Sequence, residues 1–146
     1  MSKYEQLKLK NQLCFPLYAA SREIIRAYRP FLDELDLTYT QYVAMMVLWE
    51  KEKVSVKELG QTLFLDSGTL TPMLKAMEKK HYIKRSRSAD DERVLLVELT
   101  SEGKKLEDKA SEIPGKVSTC VCLEPDEAAN LYATLYKLIA RLENNK

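Results

Sequence analysis

The sequence predicts a mainly α-helical domain carrying one small β-hairpin, and three observations predict it. Helical periodicity dominates both ends of the 146-residue chain. Between them, two helical segments, "SVKELGQTLF" and "LDSGTLTPMLKAMEKKH", are separated by only a tight turn. The period then shortens to that of strands in "YIKRSR" and "RVLLVEL", on either side of the loop-like "SADDE". Helix, short helix, turn, helix and two-stranded hairpin is the order of a winged helix-turn-helix. No internal repeat or low-complexity segment competes with it.

Taken in order, Leu13, Leu17, Ile24, Ile25 and Tyr28 recur near helical spacing and predict an amphipathic helix ending before Pro30. Pro16 falls in its first turn, where a missing N–H costs little. "TQYVAMMVLWE", from Thr40 to Glu50, is apolar nearly all round and reads as a core helix. Ser55 and Glu58 have capping-box spacing and open a short third helix. The fourth helix places Leu70, Met73, Leu74 and Met77 on an inward face.

Beyond the hairpin, Thr100 is the expected N-cap of a helix that Pro114-Gly115 should kink or interrupt. The last helix should begin near Glu124-Pro125, with Leu131, Leu135, Leu138 and Leu142 on one stripe. Residues 1–146 are therefore expected to form a single domain, with the winged-helix part over about 36–100. The flanking helices, about 5–30 and 101–145, exceed what so small a unit can cover. Their apolar stripes are expected to bury each other in a homodimer.

Composition bounds the function. At 45% hydrophobic and 31% charged, the chain is an ordinary globular protein long enough to bury roughly 70% of its unfolded surface. No apolar run is long enough to span a membrane, and "MSKYEQLKLK" lacks the apolar core of a signal peptide. A cytoplasmic location without membrane association is expected, and there three cysteines, an odd number, should be thiols. The net charge of +1 does not announce nucleic acid, but "KKHYIKRSR" (79–87) holds five Lys or Arg and no acid.

That run adjoins a helix with a distinctive outer face. Ser67, Thr69, Thr71, Pro72, Lys75 and Lys79 are left for solvent or a partner. Short hydroxyls at a helix N-terminus suit phosphate oxygens, and they reach base edges when such a helix enters the major groove of double-stranded DNA. The hairpin is expected to supply a second DNA contact, with Lys84, Arg85 and Arg87 on its first strand and Arg85 the strand residue assigned to DNA. Arg93 follows Asp90, Asp91 and Glu92, and it reads two ways: an arginine that enters a minor groove while a carboxylate such as Asp91 braces it, or a pair that only braces the loop.

"FLDSGTLTPMLKAMEKK" followed by "DDERVLLVELTSEG" closely resembles the MarR family of dimeric winged-helix repressors. "NQLCF", "LTYTQY" and "LDSGTLTPML" resemble its OhrR branch of organic-hydroperoxide sensors. The resemblance covers about residues 5–145. Three positions depart from the pattern: Ala76 stands where a basic residue is usual, His81 where glycine is usual, and Pro16 where an aliphatic residue is usual.

On its residues alone, Cys14 is either a small buried residue among Leu13, Phe15 and Leu17 or a reactive thiol. An ordinary thiol is only about 3% ionised at neutral pH, and a helix N-terminus raises that fraction. The resemblance implies that Cys14 is oxidised by organic hydroperoxides and that Tyr28 and Tyr39 hydrogen-bond its thiol. Tyr18, one turn from Cys14, is a further candidate. It also implies a reduced dimer on a pseudo-palindromic operator, release on oxidation and derepression of peroxide-resistance genes. Cys122, or else Cys120, in "STCVCLEPDE" is a candidate resolving thiol. The other routes are a low-molecular-weight thiol as resolving partner, or plain packing of both cysteines beside a kink.

Other classes leave weaker traces. A thiol peroxidase would have a cysteine, but the chain has a single histidine, His81, and neither GxGxxG nor P-loop spacing. Cys120-x-Cys122 is not the usual structural-zinc spacing. No enzyme activity, metal or cofactor is expected. The alternative that keeps DNA binding is a MarR-type repressor released by a small-molecule ligand, with Cys14 structural.

Overall fold

A helix apolar nearly all round needs cover on most of its faces, and in the computed structural model, which describes residues 1–146, the second helix is covered except at Met46, Glu50 and Lys51. The elements are α1 (Cys14–Asp33), α2 (Tyr39–Lys51), β1 (Lys53–Ser55), α3 (Val56–Leu63), α4 (Ser67–Lys79), β2 (Ile83–Arg87), β3 (Leu95–Leu99), α5 (Ser101–Ala110), α6 (Ile113–Val121) and α7 (Pro125–Asn144). They form two compact units, Met1–Pro114 and Gly115–Lys146. Helix α2 buries Gln41, Tyr42, Ala44, Met45, Val47 and Leu48. Leu59 of α3, Leu70, Leu74 and Met77 of α4, and Ile83 and Val97 of the sheet are equally buried in the first unit. Each such side chain contributes about 1.5–3 kcal/mol by leaving water.

Three differences from the expected elements have physical causes. Helix α1 does not stop before Pro30 but continues to Asp33. Pro30 forfeits one backbone bond, to the Arg26 carbonyl, at a cost of about 3 kcal/mol. Continuing the helix brings Leu32 into the core, with Leu35 just beyond it, and their burial offsets the loss. The sheet has three strands rather than two, in the order β1-β3-β2, all antiparallel. Strand β1 pairs Val54 with Val97, a partner more than forty positions away, so nothing local marks it.

The third difference is the break after α5. The expected interruption is there, but it falls at Ser111 and Glu112, just ahead of the Pro114-Gly115 step. Pro114 has no N–H to offer the Ala110 carbonyl, so α5 ends at Ala110. Pro114 then serves as the second residue of α6, where a missing donor is harmless.

The expected caps form, although the box at Ser55 is only half made because the Glu58 carboxylate accepts from Lys51 Nζ at 2.7 Å instead. Ser55 Oγ accepts from Glu58 N–H at 3.0 Å, Thr100 Oγ1 from Gly103 N–H at 3.0 Å, and Pro125 is the first residue of α7. Asp66, ahead of α4, accepts from Thr69 N–H at 2.8 Å. Helix α4 ends in a Schellman turn. His81 adopts a left-handed φ of 64°, its N–H donates to Glu78 O at 2.9 Å, and Tyr82 N–H donates to Met77 O at 3.2 Å. Histidine thus fills the position where a glycine is usual. No helix is long and apolar enough to cross a membrane.

Gly103 lets α5 start hard against the wing. A β-carbon there would lie 2.2 Å from Tyr82 O, and the Gly103 carbonyl accepts from Trp49 Nε1–H at 3.0 Å. Gly103→Ala should therefore destabilise the protein by about 1–3 kcal/mol through forced backbone displacement, read as a lower urea midpoint.

Candidate nucleic-acid interface and thiol site

The outer face of α4 is as expected. Ser67, Thr69, Thr71, Pro72, Lys75 and Lys79 are all exposed, while Leu70, Leu74 and Met77 anchor the opposite side. Asp66 caps the helix and leaves Ser67 and Thr69 in its first turn, beside free backbone N–H groups. Ala76 is half-buried and adds no charge.

The basic run does not form one charged face. Lys80 Nζ reaches back to the α1–α2 connection, donating to Asp36 O at 2.6 Å and to Gln41 Oε1 at 3.2 Å. Lys84 lies 3.7 Å from Glu98 on the neighbouring strand. Arg85 departs most from its expected role as a DNA contact. Its side chain is only 19% exposed, its Nη2 donates to Glu78 Oε1 at 3.2 Å, and its backbone N–H donates to Glu78 Oε2 at 2.9 Å. Strand alternation is the cause, because Arg85 shares the inward face with buried Ile83. The Arg85 side chain and backbone N–H together hold the Glu78 carboxyl below the usual carboxylate range. Lys79 and Arg87 remain exposed.

Arg93 stands at the wing tip, its side chain 91% exposed. Its Nε donates to Asp91 Oδ1 at 3.1 Å and its Nη2 to Asp91 Oδ2 at 3.2 Å, so the guanidinium is gripped on one edge and presented to solvent on the other. The guanidinium bond, with a further one from the Arg93 N–H, lowers the Asp91 pKa.

Cys14 is exposed and is the first residue of α1. Tyr18 is also exposed, with the Arg22 guanidinium 5.3 Å from its ring centre. Tyr28 lies fourteen residues further along the same helix, about 21 Å down its axis, so it does not meet Cys14 within one chain. Tyr28 instead packs edge-on against Tyr39, ring centres 5.0 Å apart, and Tyr42 lies 5.8 Å from Tyr28 and 6.2 Å from Tyr39. Burial, then proximity to Tyr28, raises the Tyr39 pKa. Burial first, then Tyr28 and Tyr39, pushes Tyr42 up to about 12, and its buried hydroxyl has no hydrogen-bond partner.

Cys120 and Cys122 are exposed free thiols at the end of α6, and Cys122 has a left-handed φ of 50°. Cys122 Sγ lies 2.7 Å from Thr119 O. No group of three His, Cys, Asp or Glu side chains is assembled to hold a metal ion. Lys80 and Glu78 escape notice in the sequence: Lys80 is one cation in a run, and Glu78 one acid in an amphipathic helix.

Residues 26–110 match the family described as transcriptional regulator SarA/Rot. The organic hydroperoxide resistance transcriptional regulator of Bacillus subtilis (strain 168) is 48% identical over 141 residues, covering 97% of this chain and 96% of that protein. The structure of reduced AbfR bound to DNA, a protein of Staphylococcus epidermidis, superposes with a TM-score of 0.78 at 35% identity, over 97% of this chain and 99% of that one. The disulfide-formed AbfR structure gives a TM-score of 0.66 at 38% identity, over 92% and 95%.

Two outcomes follow from the geometry. Removing the orphaned hydroxyl in Tyr42→Phe should leave stability at neutral pH unchanged or about 1 kcal/mol higher. Because burial raises the folded-state pKa, the unfolded chain gives up the Tyr42 proton first, and the fold loses stability as pH rises from 10 to about 12. Tyr42→Phe should therefore flatten the alkaline arm of a melting-temperature profile. Separately, Lys75→Ala and Arg93→Ala should each lower the salt slope of binding to a duplex from the chain's own upstream region by about one. Arg85→Ala should leave that slope unchanged and reduce stability by about 1 kcal/mol.

Proposed function

The chain belongs to the MarR/SarA family of winged helix-turn-helix transcriptional regulators, and we propose that within it this protein is a redox-sensing repressor whose Cys14 reads organic hydroperoxides. It is a DNA-binding regulator and not an enzyme. One observation carries the reading: Cys14 is exposed at the first residue of a helix whose apolar residues Phe15, Leu17, Ile24 and Ile25 are uncovered. A reactive thiol needs access, and an uncovered stripe needs a partner.

The partner is a second copy. Helix α7 leaves Leu131, Leu138 and Leu142 exposed in the same way as α1, which supports a homodimer built on terminal helices. Since about 21 Å of helix separates Cys14 from Tyr28 within one chain, the tyrosines reach the thiol from the partner subunit. The two α4 helices then sit in successive major grooves of a pseudo-palindromic operator, half-sites about one helical turn apart. Ser67, Thr69, Thr71, Pro72 and Lys75 contact phosphates and base edges, and Arg93, gripped by Asp91, enters the adjacent minor groove.

In the sensing step the Cys14 thiolate attacks the outer peroxide oxygen. The O–O bond breaks, the organic fragment leaves as an alkoxide that takes up a proton, and Cys14 becomes a sulfenic acid. Condensation with a second thiol forms a disulfide and releases water. The exposed Cys122, ahead of Cys120, supplies that thiol from the other subunit, and a low-molecular-weight thiol is the competing route. The disulfide displaces the tyrosine contacts, the half-site spacing is lost, and the operator is released to derepress peroxide-resistance genes.

A second reading rests on a cavity of about 320 Å³ between α2 and α5, lined by Tyr42, Met46, Trp49, Ala110 and Pro114. There a small molecule would act as the trigger and Cys14 would be structural.

The test is DNA binding at fixed salt with reduced and cumene-hydroperoxide-treated protein, beside Cys14→Ser. Wild type should lose affinity on oxidation and the serine variant should not. Equal loss in both would reject Cys14 as the sensor and point to a different trigger, the exposed Cys120 and Cys122 among the oxidisable groups that remain. A dimer band on a non-reducing gel, absent in Cys122→Ser, is the expected sign of the two-cysteine route.

A further inference from the structure

Lys80 is the C-cap of α4, yet its side chain does not face the outer surface of that helix. Its ammonium makes three contacts with the connection into α2: Asp36 O at 2.6 Å, Asp36 Oδ1 at 3.4 Å and Gln41 Oε1 at 3.2 Å. Gln41 is buried, and the oxygen that takes the Lys80 bond also accepts from Thr38 N–H at 3.1 Å. Thr38 Oγ1 in turn accepts from Gln41 N–H at 3.2 Å, closing the capping box that starts α2. Two residues beyond Lys80, Tyr82 OH donates to Leu35 O at 3.0 Å. The end of the reading helix is therefore tied at two points to residues 35–41.

Tyr39 is the first residue of α2 and lies inside that capping box, between Thr38 and Gln41. Its ring packs on Tyr28. The Gln41 oxygen therefore links the start of α2, where Tyr39 stands, directly to the Lys80 ammonium.

We propose that Lys80 is a positioning residue that couples the Tyr28–Tyr39 cluster to helix α4, holding α4 in its DNA-reading pose while the start of α2 is in place. The proposal rests on the assignment of α4 as the reading helix and extends it to a residue that touches neither DNA nor Cys14. Lys80 acts through Gln41 and Asp36, and its charge makes no contact with phosphate. An exposed lysine in a basic run beside a DNA-reading helix would ordinarily be counted as a phosphate contact, and the structure assigns it otherwise.

A double-mutant cycle tests this without depending on Cys14 chemistry. Affinity for a duplex from the chain's own upstream region is measured across a salt series for Lys80→Met, Tyr39→Ala, the double variant and Lys80→Arg, all reduced, with melting temperatures confirming folding. Tyr39→Leu replaces Tyr39→Ala if that variant does not fold. Lys80→Met and Tyr39→Ala should each weaken binding on the order of tenfold, and the double variant should be no weaker than the worse single. The salt slope of Lys80→Met should equal that of wild type, and Lys80→Arg should recover most of the affinity. A slope lower by about one would identify a phosphate contact and overturn the proposal. Losses that multiply to about a hundredfold in the double variant would overturn the coupling, as would unchanged affinity in Lys80→Met. A peroxide titration of wild type reads the sensor assignment separately, since its failure leaves the reduced-state cycle intact.

Discussion

Helix α2 has no polar side, and that constraint organises the first unit. Tyr42, Met45 and Leu48 are each at most 1% exposed, so the faces of α2 that carry them must be filled, while Met46 and Glu50 stay open. Other elements of the first unit bring one apolar face each, with Leu70, Leu74 and Met77 from α4 and Val97 from β3. The outer face of α4 is then free for polar residues because its inner face is committed. A reading helix needs rigidity as much as it needs hydroxyls, and burial supplies the rigidity. Gly103 belongs to the same constraint: only a residue without a β-carbon lets α5 start against the Tyr82 carbonyl while holding the Trp49 indole.

The second organising effect is the division of charge between bracing and presentation. Five cations in nine residues look like one basic surface. Folding turns Arg85 inward to Glu78 and Lys80 back to Asp36 and Gln41, and sets Lys84 near Glu98. Exposed pairs of this kind add little stability, but the partly buried ones at Arg85 and Lys80 fix where the wing and α4 stand. On α4 and the wing, Lys75, Lys79, Arg87 and Arg93 stay exposed, and only Arg93 of these is braced, by Asp91. Arg93 is held on one edge by Asp91, which restricts the rotamers of a side chain that is otherwise free in solvent.

The thiol and the tyrosines are legible separately but not together. Cys14 stands at the helix start, where its spacing put it, and it is exposed despite apolar neighbours. Those neighbours are exposed too, because α1 buries little within its own chain beyond Leu32. An apolar flank identifies a core position only when the surface that covers it belongs to the same chain. The tyrosine cluster forms within one chain, but helix rise keeps it from the Cys14 of that chain.

The sequence by itself determined the elements whose signals are local. Capping residues at Ser55 and Thr100, the proline that opens α7, the apolar period of α4 and the all-round apolarity of α2 act within a few residues of one another, so they survive without the fold. Tertiary structure decided what depends on distant partners. It extended α1 through Pro30 because Leu32 found a core, and it added β1 because Val54 found Val97. It also turned Arg85 and Lys80 from apparent surface charges into struts. A side chain's partner on another element, seven positions away for Arg85 and more than thirty for Lys80, leaves no periodicity to read. Its energy, set by burial and hydrogen-bond geometry, exists only once the chain has folded.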